Sequence, residues 1–347
     1  MARARAFGLV GSAAGALALA LFGSVGCVDG NVPPRPAPTF GPPKQLVSAP
    51  GCGDLAIAVS GGTLFWTEAA TGAVKSMPIA GDAITVLATD QRSPGTIGAD
   101  ATSVFWIVNQ RSIAKVARAG GAVEVVVSES TLPIDFGGEN DVNALLVVGQ
   151  NLYFARFTST FLIPTAGGAP TRLGLSPMED LGQPTAVAVD GTFIYLAEDF
   201  HNAVTRVRLD GLQEGKLESG SKARWAPDRI AVSQGSLLLE AIARWGEDVI
   251  WANGATILRK ASSANEKVPF VRVASTLGDG DVSGFVVSGS SIYFGEEGSD
   301  LLQRVTLPSG APTVVATGQS NPRRFVADGD AVYWRNDDCT VMRLPTR

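Results

Sequence analysis

The stretch IAVSGGTLFWTEAATGAVKSMPIAGDAITVLA (57–88) holds four short apolar runs separated by glycine-rich or polar turns. Its second run contains the aromatic triplet LFW (64–66), and similar triplets recur as far as residue 334. The recurrences are VFW (104–106), LYF (152–154), IYL (194–196), VIW (249–251), IYF (292–294) and VYW (332–334). Their spacing of roughly 43 residues indicates an internal repeat, and seven triplets indicate seven copies.

Each copy has the composition of a four-stranded antiparallel sheet. Runs of five or six residues with alternating faces match the period of a β-strand and not that of a helix. A single small sheet cannot bury its apolar faces, so neighbouring sheets must stack on one another. We therefore predict an all-β fold over residues 44–347, a seven-bladed β-propeller whose blades have strands A to D.

The two ends of the repeat region are predicted to share a blade. The seventh copy ends at its third strand, VMRLP (341–345), whereas KQLVSA (44–49) resembles a D strand and precedes the first A strand. If this N-terminal strand closes the last blade, it removes an open sheet edge and brings Cys52 near Cys339. We expect a disulfide between them, and two separate buried thiols are the alternative.

The fifth copy has two candidates for its B strand. IAVSQGSLLLEA (230–241) aligns with strands A and B of the first copy, but GEDVIWAN (246–253) aligns equally well with the seventh. Our interpretation makes 230–241 strands A and B, with 242–255 as an extended excursion between B and C.

The N-terminus is predicted to direct the protein out of the cytoplasm. Arg3 and Arg5 precede an apolar stretch that ends in Ser24-Val25-Gly26-Cys27. Residues 1–26 resemble a lipoprotein signal peptide with Cys27 as the lipidated residue, although Ser24 stands where leucine is usual. Ordinary signal-peptidase cleavage and an uncleaved membrane anchor are the alternatives. The proline-rich segment 27–43 is predicted to be a solvated tether.

Composition excludes several classes of function. The chain carries a formal net charge of −5 and has no basic run, which argues against nucleic-acid binding. It has one histidine and three cysteines without a CxxC pair, which excludes common zinc sites. No Walker loop, GxSxG elbow or GxGxxG fingerprint is present. We expect a monomer without a nucleic-acid partner.

The repeats resemble those of bacterial extracytoplasmic propellers of the NHL, YVTN and TolB-like kind. The resemblance covers residues 44–347 and rests on a packing motif that carries no catalytic residue. It implies a binding or scaffold module, although some such propellers are metal-dependent lactonases or lyases.

Tryptophans fall into two groups with different expected roles. Trp66, Trp106, Trp251 and Trp334 occupy the repeated triplets and are predicted to pack between blades. Trp225 and Trp245 lie outside that register, and we consider them candidate ligand contacts as well as packing residues beneath loops.

Long connections are predicted to gather on one face of the ring. In a propeller the D–A connections and B–C turns emerge at the same end, where a rigid scaffold carries functional loops. The connections 129–143, 175–185 and 219–228, together with the excursion 242–255, belong to neighbouring blades two to five. The B–C turn of blade four, Glu198 to Asn202, lies in their middle.

This turn supplies the candidate binding residues Glu198, Asp199 and His201. A carboxylate pair beside an imidazole is suited to metal binding or acid–base chemistry, although solvated turn residues are the commoner outcome. Metal binding would need further ligands, with these candidates: Glu139, Asp141, Glu179 and Asp180. A channel metal is disfavoured by the apolar residues expected at the A-strand starts, which are Ile57, Ile97, Val187, Ile230 and Phe325.

We therefore expect a non-enzymatic, lipid-anchored propeller of the bacterial cell envelope, on either membrane leaflet. Its loops in blades two to five would bind a protein, peptide or glycan, with no catalytic residue and no cofactor. The alternative is a metal-dependent hydrolase or lyase with a divalent cation held by carboxylates near the central channel. A purely structural envelope protein is a third hypothesis.

Overall fold

A computed structural model of the chain contains seven four-stranded antiparallel sheets, one for each repeat. The structure describes residues 41–81, 83–131, 141–156, 159–175, 184–198, 203–209, 228–232 and 241–346. The predicted signal peptide (1–26) and residues 27–40 of the predicted tether lie outside these ranges. The predicted fold class, a seven-bladed propeller, is confirmed.

Strands A to D follow one another along the chain in blades one to six, whereas blade seven takes its D strand from the N-terminus. The first strand, β1, is Lys44–Ser48 and belongs to the last blade. Blades one to three consist of β2 Ile57–Ser60, β3 Thr63–Glu68, β4 Ala73–Pro78 and β5 Thr85–Ala88; β6 Pro94–Ala99, β7 Ser103–Val108, β8 Ser112–Ala117 and β9 Glu124–Val127; β10 Val142–Val148, β11 Asn151–Arg156, β12 Ser159–Pro164 and β13 Thr171–Leu175.

The remaining blades continue the same A-to-D order. They consist of β14 Pro184–Val189, β15 Phe193–Glu198, β16 Ala203–Arg208 and β17 Asp228–Val232; β18 Ile242–Trp245, β19 Asp248–Asn253, β20 Thr256–Ala261 and β21 Val271–Ser275; β22 Val282–Ser288, β23 Ser291–Glu296, β24 Leu302–Thr306 and β25 Thr313–Ala316; β26 Arg323–Ala327, β27 Ala331–Arg335 and β28 Thr340–Pro345. Helix in the described ranges is limited to the 3-10 turn Glu129–Thr131, and no helix there is long and apolar enough to cross a membrane.

The N-terminal strand closes the ring as the sequence predicts. Strand β1 is the D strand of blade seven and pairs antiparallel with β28, with Val47 opposite Val341 and Ser48 opposite Thr340. The pairing ends beside the disulfide between Cys52 and Cys339, whose Cα atoms are 6.2 Å apart. Both chain ends of the repeat region therefore belong to one sheet, and the disulfide joins them covalently.

The predicted layout of blade five is wrong. Residues 228–232 form the D strand of blade four, because they pair with β16 of that blade. Strands A and B of blade five are β18 and β19, which occupy the range predicted to be an excursion at 242–255. Of the two B-strand candidates, the structure selects GEDVIWAN (246–253), which contains the triplet VIW.

Aromatic residues of the B strands fill the spaces between blades. Trp66, Trp106, Trp251 and Trp334 are all buried, with at most 1% of their surface exposed. Trp66 packs with residues of blades seven and one, including Tyr333. Because these large side chains exclude water between adjacent sheets, they stabilise the ring, and their predicted packing role is confirmed.

An aspartate organises the A–B turn in several blades. Asp328 accepts hydrogen bonds from the backbone amides of Asp330 and Ala331 and from the Tyr333 hydroxyl, the last at 2.7 Å. Asp190 makes the equivalent set with Thr192, Phe193 and Tyr195. Burial alone would raise the pKa of Asp328, but these bonds favour the carboxylate and the pKa lies below its usual value. The aspartates that close the A-strand runs are therefore turn formers.

Candidate functional site

The ring has two ends that differ in the connections they carry. We define the loop face as the end bearing the B–C turns and D–A connections, and the turn face as the end bearing the A–B turns and C–D connections. Since successive strands in each blade are antiparallel, the two kinds of connection alternate between these ends.

The longest D–A connections adjoin blades two to five on the loop face. They comprise residues 128–141, 176–183 and 233–241. The other D–A connections are shorter, apart from 49–56, which the Cys52–Cys339 disulfide holds. Two of the four predicted segments, 129–143 and 175–185, therefore correspond to D–A connections of the loop face, although much of their length lies outside the described residues.

Two members of the predicted cluster are wrong. Segment 219–228 lies almost entirely within the C–D connection of blade four, 209–227, which belongs to the turn face. Segment 242–255 contains strands β18 and β19 and is not an excursion. The connection between blades four and five is instead 233–241, a D–A connection. Residues 199–202 of the blade-four B–C turn lie outside the described residues, and their place among these connections stays a prediction.

Arg111 ties the described ends of connection 128–141 to blade two. It stands in a B–C turn whose residues Asn109 and Gln110 have positive φ values, as a tight hairpin turn requires. Its guanidinium forms ion pairs with Glu129 at 3.2 Å and with Asp141 at 3.9 Å. All three side chains are well exposed, so solvent screens these pairs and their contribution to stability is small.

Glu198 of the candidate site is fully buried at the end of β15. Its carboxylate accepts a hydrogen bond from the Thr205 hydroxyl on β16. Glu68 and Glu296 are buried at the equivalent B-strand ends of blades one and six. Because three blades share this feature, it indicates a role for Glu198 in blade structure. Asp199 and His201 lie outside the described residues, and their part in binding stays a prediction.

The two off-register tryptophans do not share the loop face with Glu198. Trp245 ends strand A of blade five at the A–B turn, on the turn face. It is half-buried and packs against the apolar cluster between blades five and six. Trp225 falls in the C–D connection of blade four and lies outside the described residues. A role of these two tryptophans in ligand binding stays a prediction, and it would involve the turn face and not the loop face.

A central cavity of about 270 Å³ is lined by all seven blades. The A-strand residues Ile57, Ile97, Val187 and Phe325 line it as predicted. Ile230 does not, because it belongs to a D strand, and Ile242 of blade five takes that position. The cavity also has polar lining residues that were not predicted from the sequence: Thr96, Asn143, Thr185 and Arg324.

Three arginines of blade seven alternate with acidic groups where the loop face meets this cavity. Arg335 forms ion pairs with Asp54 at 3.1 Å and with Asp337 at 3.5 Å, while Arg324 reaches Asp54 at 3.7 Å. Burial lowers the pKa of Arg335, and these two carboxylates act in the opposite direction. Arg323 pairs with Asp337 at 3.4 Å. Arg335 is therefore held by two carboxylates and is much less exposed than Arg324, with 12% against 45% of the side chain accessible.

No group of three or more His, Cys, Asp or Glu residues in the described part of the chain is arranged to hold a metal ion. The proposed further ligands Glu139, Glu179 and Asp180 lie outside that part, and Asp141 contacts Arg111. The metal-site hypothesis around Glu198 stays untested.

Comparison with solved structures supports the fold. Virginiamycin B lyase from Staphylococcus aureus is similar with a TM-score of 0.69 and 13% identity, covering 89% of this chain and all of that one. YCF48 from Cyanidioschyzon merolae has a TM-score of 0.65 and 11% identity, covering 88% and 99% of the two chains. BamB from Moraxella catarrhalis has a TM-score of 0.55 and 12% identity, covering 84% of each.

These likenesses show a shared propeller fold and nothing narrower, because all three identities are low. No protein-family model matches the sequence, and no curated protein matches it.

Proposed function

We propose that the protein is a lipid-anchored binding module of the bacterial cell envelope. Its loop face at blades two to five would hold a protein, peptide or glycan. Lipidation would be at Cys27, which follows the small residues of an apolar leader, and 27–43 would space the propeller from the membrane. A disulfide suits an oxidising, extracytoplasmic compartment.

The observation that carries this proposal is the placement of the long D–A connections 128–141, 176–183 and 233–241 on adjacent blades. The paired sheets beneath them fix where each connection starts and ends, so the scaffold itself need not be ordered on binding. Functional residues concentrate on loops that a rigid scaffold positions.

Similar propellers support a binding role. YCF48 in its complex with D1 peptide is similar to this chain with a TM-score of 0.62 and 10% identity, covering 90% of this chain and 98% of that one. A propeller of this architecture thus accommodates a peptide partner. For this protein, the partner class is part of the proposal.

Site-specific photocrosslinking in native envelopes tests which face binds. A photoreactive amino acid at Ser130, an exposed residue of connection 128–141, is expected to give a discrete adduct with the partner. The same group at His201, in the B–C turn of blade four, is expected to give the same adduct.

Ala101 is the matched control, because it is exposed in the A–B turn of blade two, at the opposite end of the same blade. Little or no adduct is expected there. Equal adducts from Ser130 and Ala101, or an adduct from Ala101 alone, would contradict binding by the loop face.

A further inference from the structure

The polar residues of the central cavity are placed there by irregularities in the A strands. In blades three and four the pairing of strands A and B shifts between Val142 and Ala144 and between Pro184 and Ala186. Strand A of blade seven has a similar shift between Arg323 and Val326. Such bulges re-aim side chains and often border functional sites. Here the intervening residues Asn143, Thr185 and Arg324 line the cavity.

These polar residues lie at one end of an otherwise apolar space. Each belongs to the start of its A strand, which is the end that meets the loop face. The walls are largely aliphatic and aromatic, and they include Leu146, Val187, Ile242 and Phe325. The cavity is therefore amphipathic, with hydrogen-bonding groups near its loop-face end.

Arg324 is the one charged side chain among the residues that line this cavity in the described chain. Its φ of 51° lies in the left-handed region, which is unusual for a residue other than glycine and marks a conformation that the fold imposes. The side chain is 45% exposed. Its contact with Asp54 at 3.7 Å is long, and Arg335 approaches the same carboxylate more closely, at 3.1 Å. The guanidinium therefore retains donors for a ligand.

Asn143 also lines the cavity, but its amide nitrogen is not a donor that a ligand can reach. The Nδ2 atom is buried away from solvent and makes no hydrogen bond to any described residue. Arg324, whose side chain is 45% exposed, is therefore the donor that the cavity offers to a charged ligand.

We propose that the central cavity binds a small carboxylate with an apolar body, with the Arg324 guanidinium as donor to the carboxylate. A planar guanidinium matches a carboxylate by two parallel hydrogen bonds, while the aliphatic walls bury the remainder of the ligand. A volume of about 270 Å³ is just below the range of sites for drug-sized ligands and suits a small molecule. This site is separate from the loop contacts of the proposed function.

Titration calorimetry with phenylacetate and with its neutral isostere phenylacetamide tests the proposal on the whole protein. Phenylacetate is expected to bind at millimolar or lower concentration and phenylacetamide more weakly. Arg324→Gln should weaken phenylacetate binding about 10- to 100-fold, as loss of a charge-assisted hydrogen bond predicts, and leave phenylacetamide binding nearly unchanged. Arg92→Gln is the control, because Arg92 is exposed on a D–A connection and does not line the cavity.

A second variant locates the site independently of charge. Val187→Phe fills the cavity from its wall and is expected to abolish binding of both compounds, with the melting temperature reporting whether the variant is folded. Absence of phenylacetate binding to the wild-type protein would overturn the proposal. Equal affinity for the acid and the amide, or equal weakening by Arg324→Gln and Arg92→Gln, would also overturn it. None of these outcomes bears on the loop-face crosslinks.

Discussion

Replacing Cys52 and Cys339 together with alanine is expected to lower the free energy of unfolding by about 2–5 kcal/mol. The disulfide spans a sequence separation of 287 residues and fixes the closing strand to the last blade. A chain-entropy estimate for so long a loop is about 5–6 kcal/mol, which is an upper bound because unfolded chains retain structure. Urea unfolding of the wild type and the double variant, both without reductant, measures the difference.

Val47→Asp is the companion variant, because it keeps the disulfide and disturbs only the pairing of the closing strand. Val47 is buried opposite Val341, so a carboxylate there is also expected to destabilise the protein. If neither the double variant nor Val47→Asp shifts the urea midpoint, closure by the N-terminal strand does not stabilise the ring.

Glu296→Ala is expected to destabilise the protein by about 3 kcal/mol, although Glu296 is on no predicted site. Its buried carboxylate accepts hydrogen bonds from the backbone amides of Gly278 and Gly280 at 3.2 and 3.1 Å and from the Gln303 side chain at 2.7 Å. It therefore ties strand B of blade six to the D–A connection that precedes it. Thermal and urea unfolding measure the loss.

The adjacent residue provides a matched control. Glu297 is about one-third exposed and pairs with Arg323 at 3.5 Å, so Glu297→Ala is expected to cost less than about 1 kcal/mol. Glu296→Gln preserves the shape of the side chain and should be milder than Glu296→Ala. Comparable losses for Glu296→Ala and Glu297→Ala would show that the buried carboxylate has no special role.

The repeat predicted most of the fold because its signal is local and repeated. Each B strand carries an aromatic triplet whose large side chains are needed between blades, and the triplets mark all seven B strands correctly. Closure was also predictable, because the seventh copy lacks a D strand and KQLVSA (44–49) precedes the first A strand. Cysteines flank both segments, so a disulfide between them was expected, and the structure confirms it.

Blade five was misread because A and D strands share one apolar pattern. The run IAVS at 230–233 repeats the letters of the first A strand at 57–60, yet it contributes to a D strand. Which role such a run takes depends on its hydrogen-bonding partner, here β16, and not on its own residues. The extra length of this region lies in the connections 209–227 and 233–241, and not within blade five.

The polar lining of the cavity could not be predicted from alternation. If side chains alternated strictly along an A strand, the residue before a channel-facing one would point away from the channel. On that basis Thr96, which precedes Ile97, and Arg324, which precedes Phe325, are not expected to line the cavity. The A-strand bulges break this rule and let two successive residues line the cavity. Burial of Glu198 was hidden for a different reason, since a glutamate before a turn reads as solvated unless its counterparts in other blades are compared.

Disulfide mapping tests closure of the ring by its own N-terminal strand, on which the loop face and the cavity both depend. The protein would be purified from native membranes without reductant, digested and analysed by mass spectrometry. We expect a linked pair of peptides containing Cys52 and Cys339, with Cys27 in no disulfide. Free thiols at both ring positions, or a bond from either to Cys27, would contradict it.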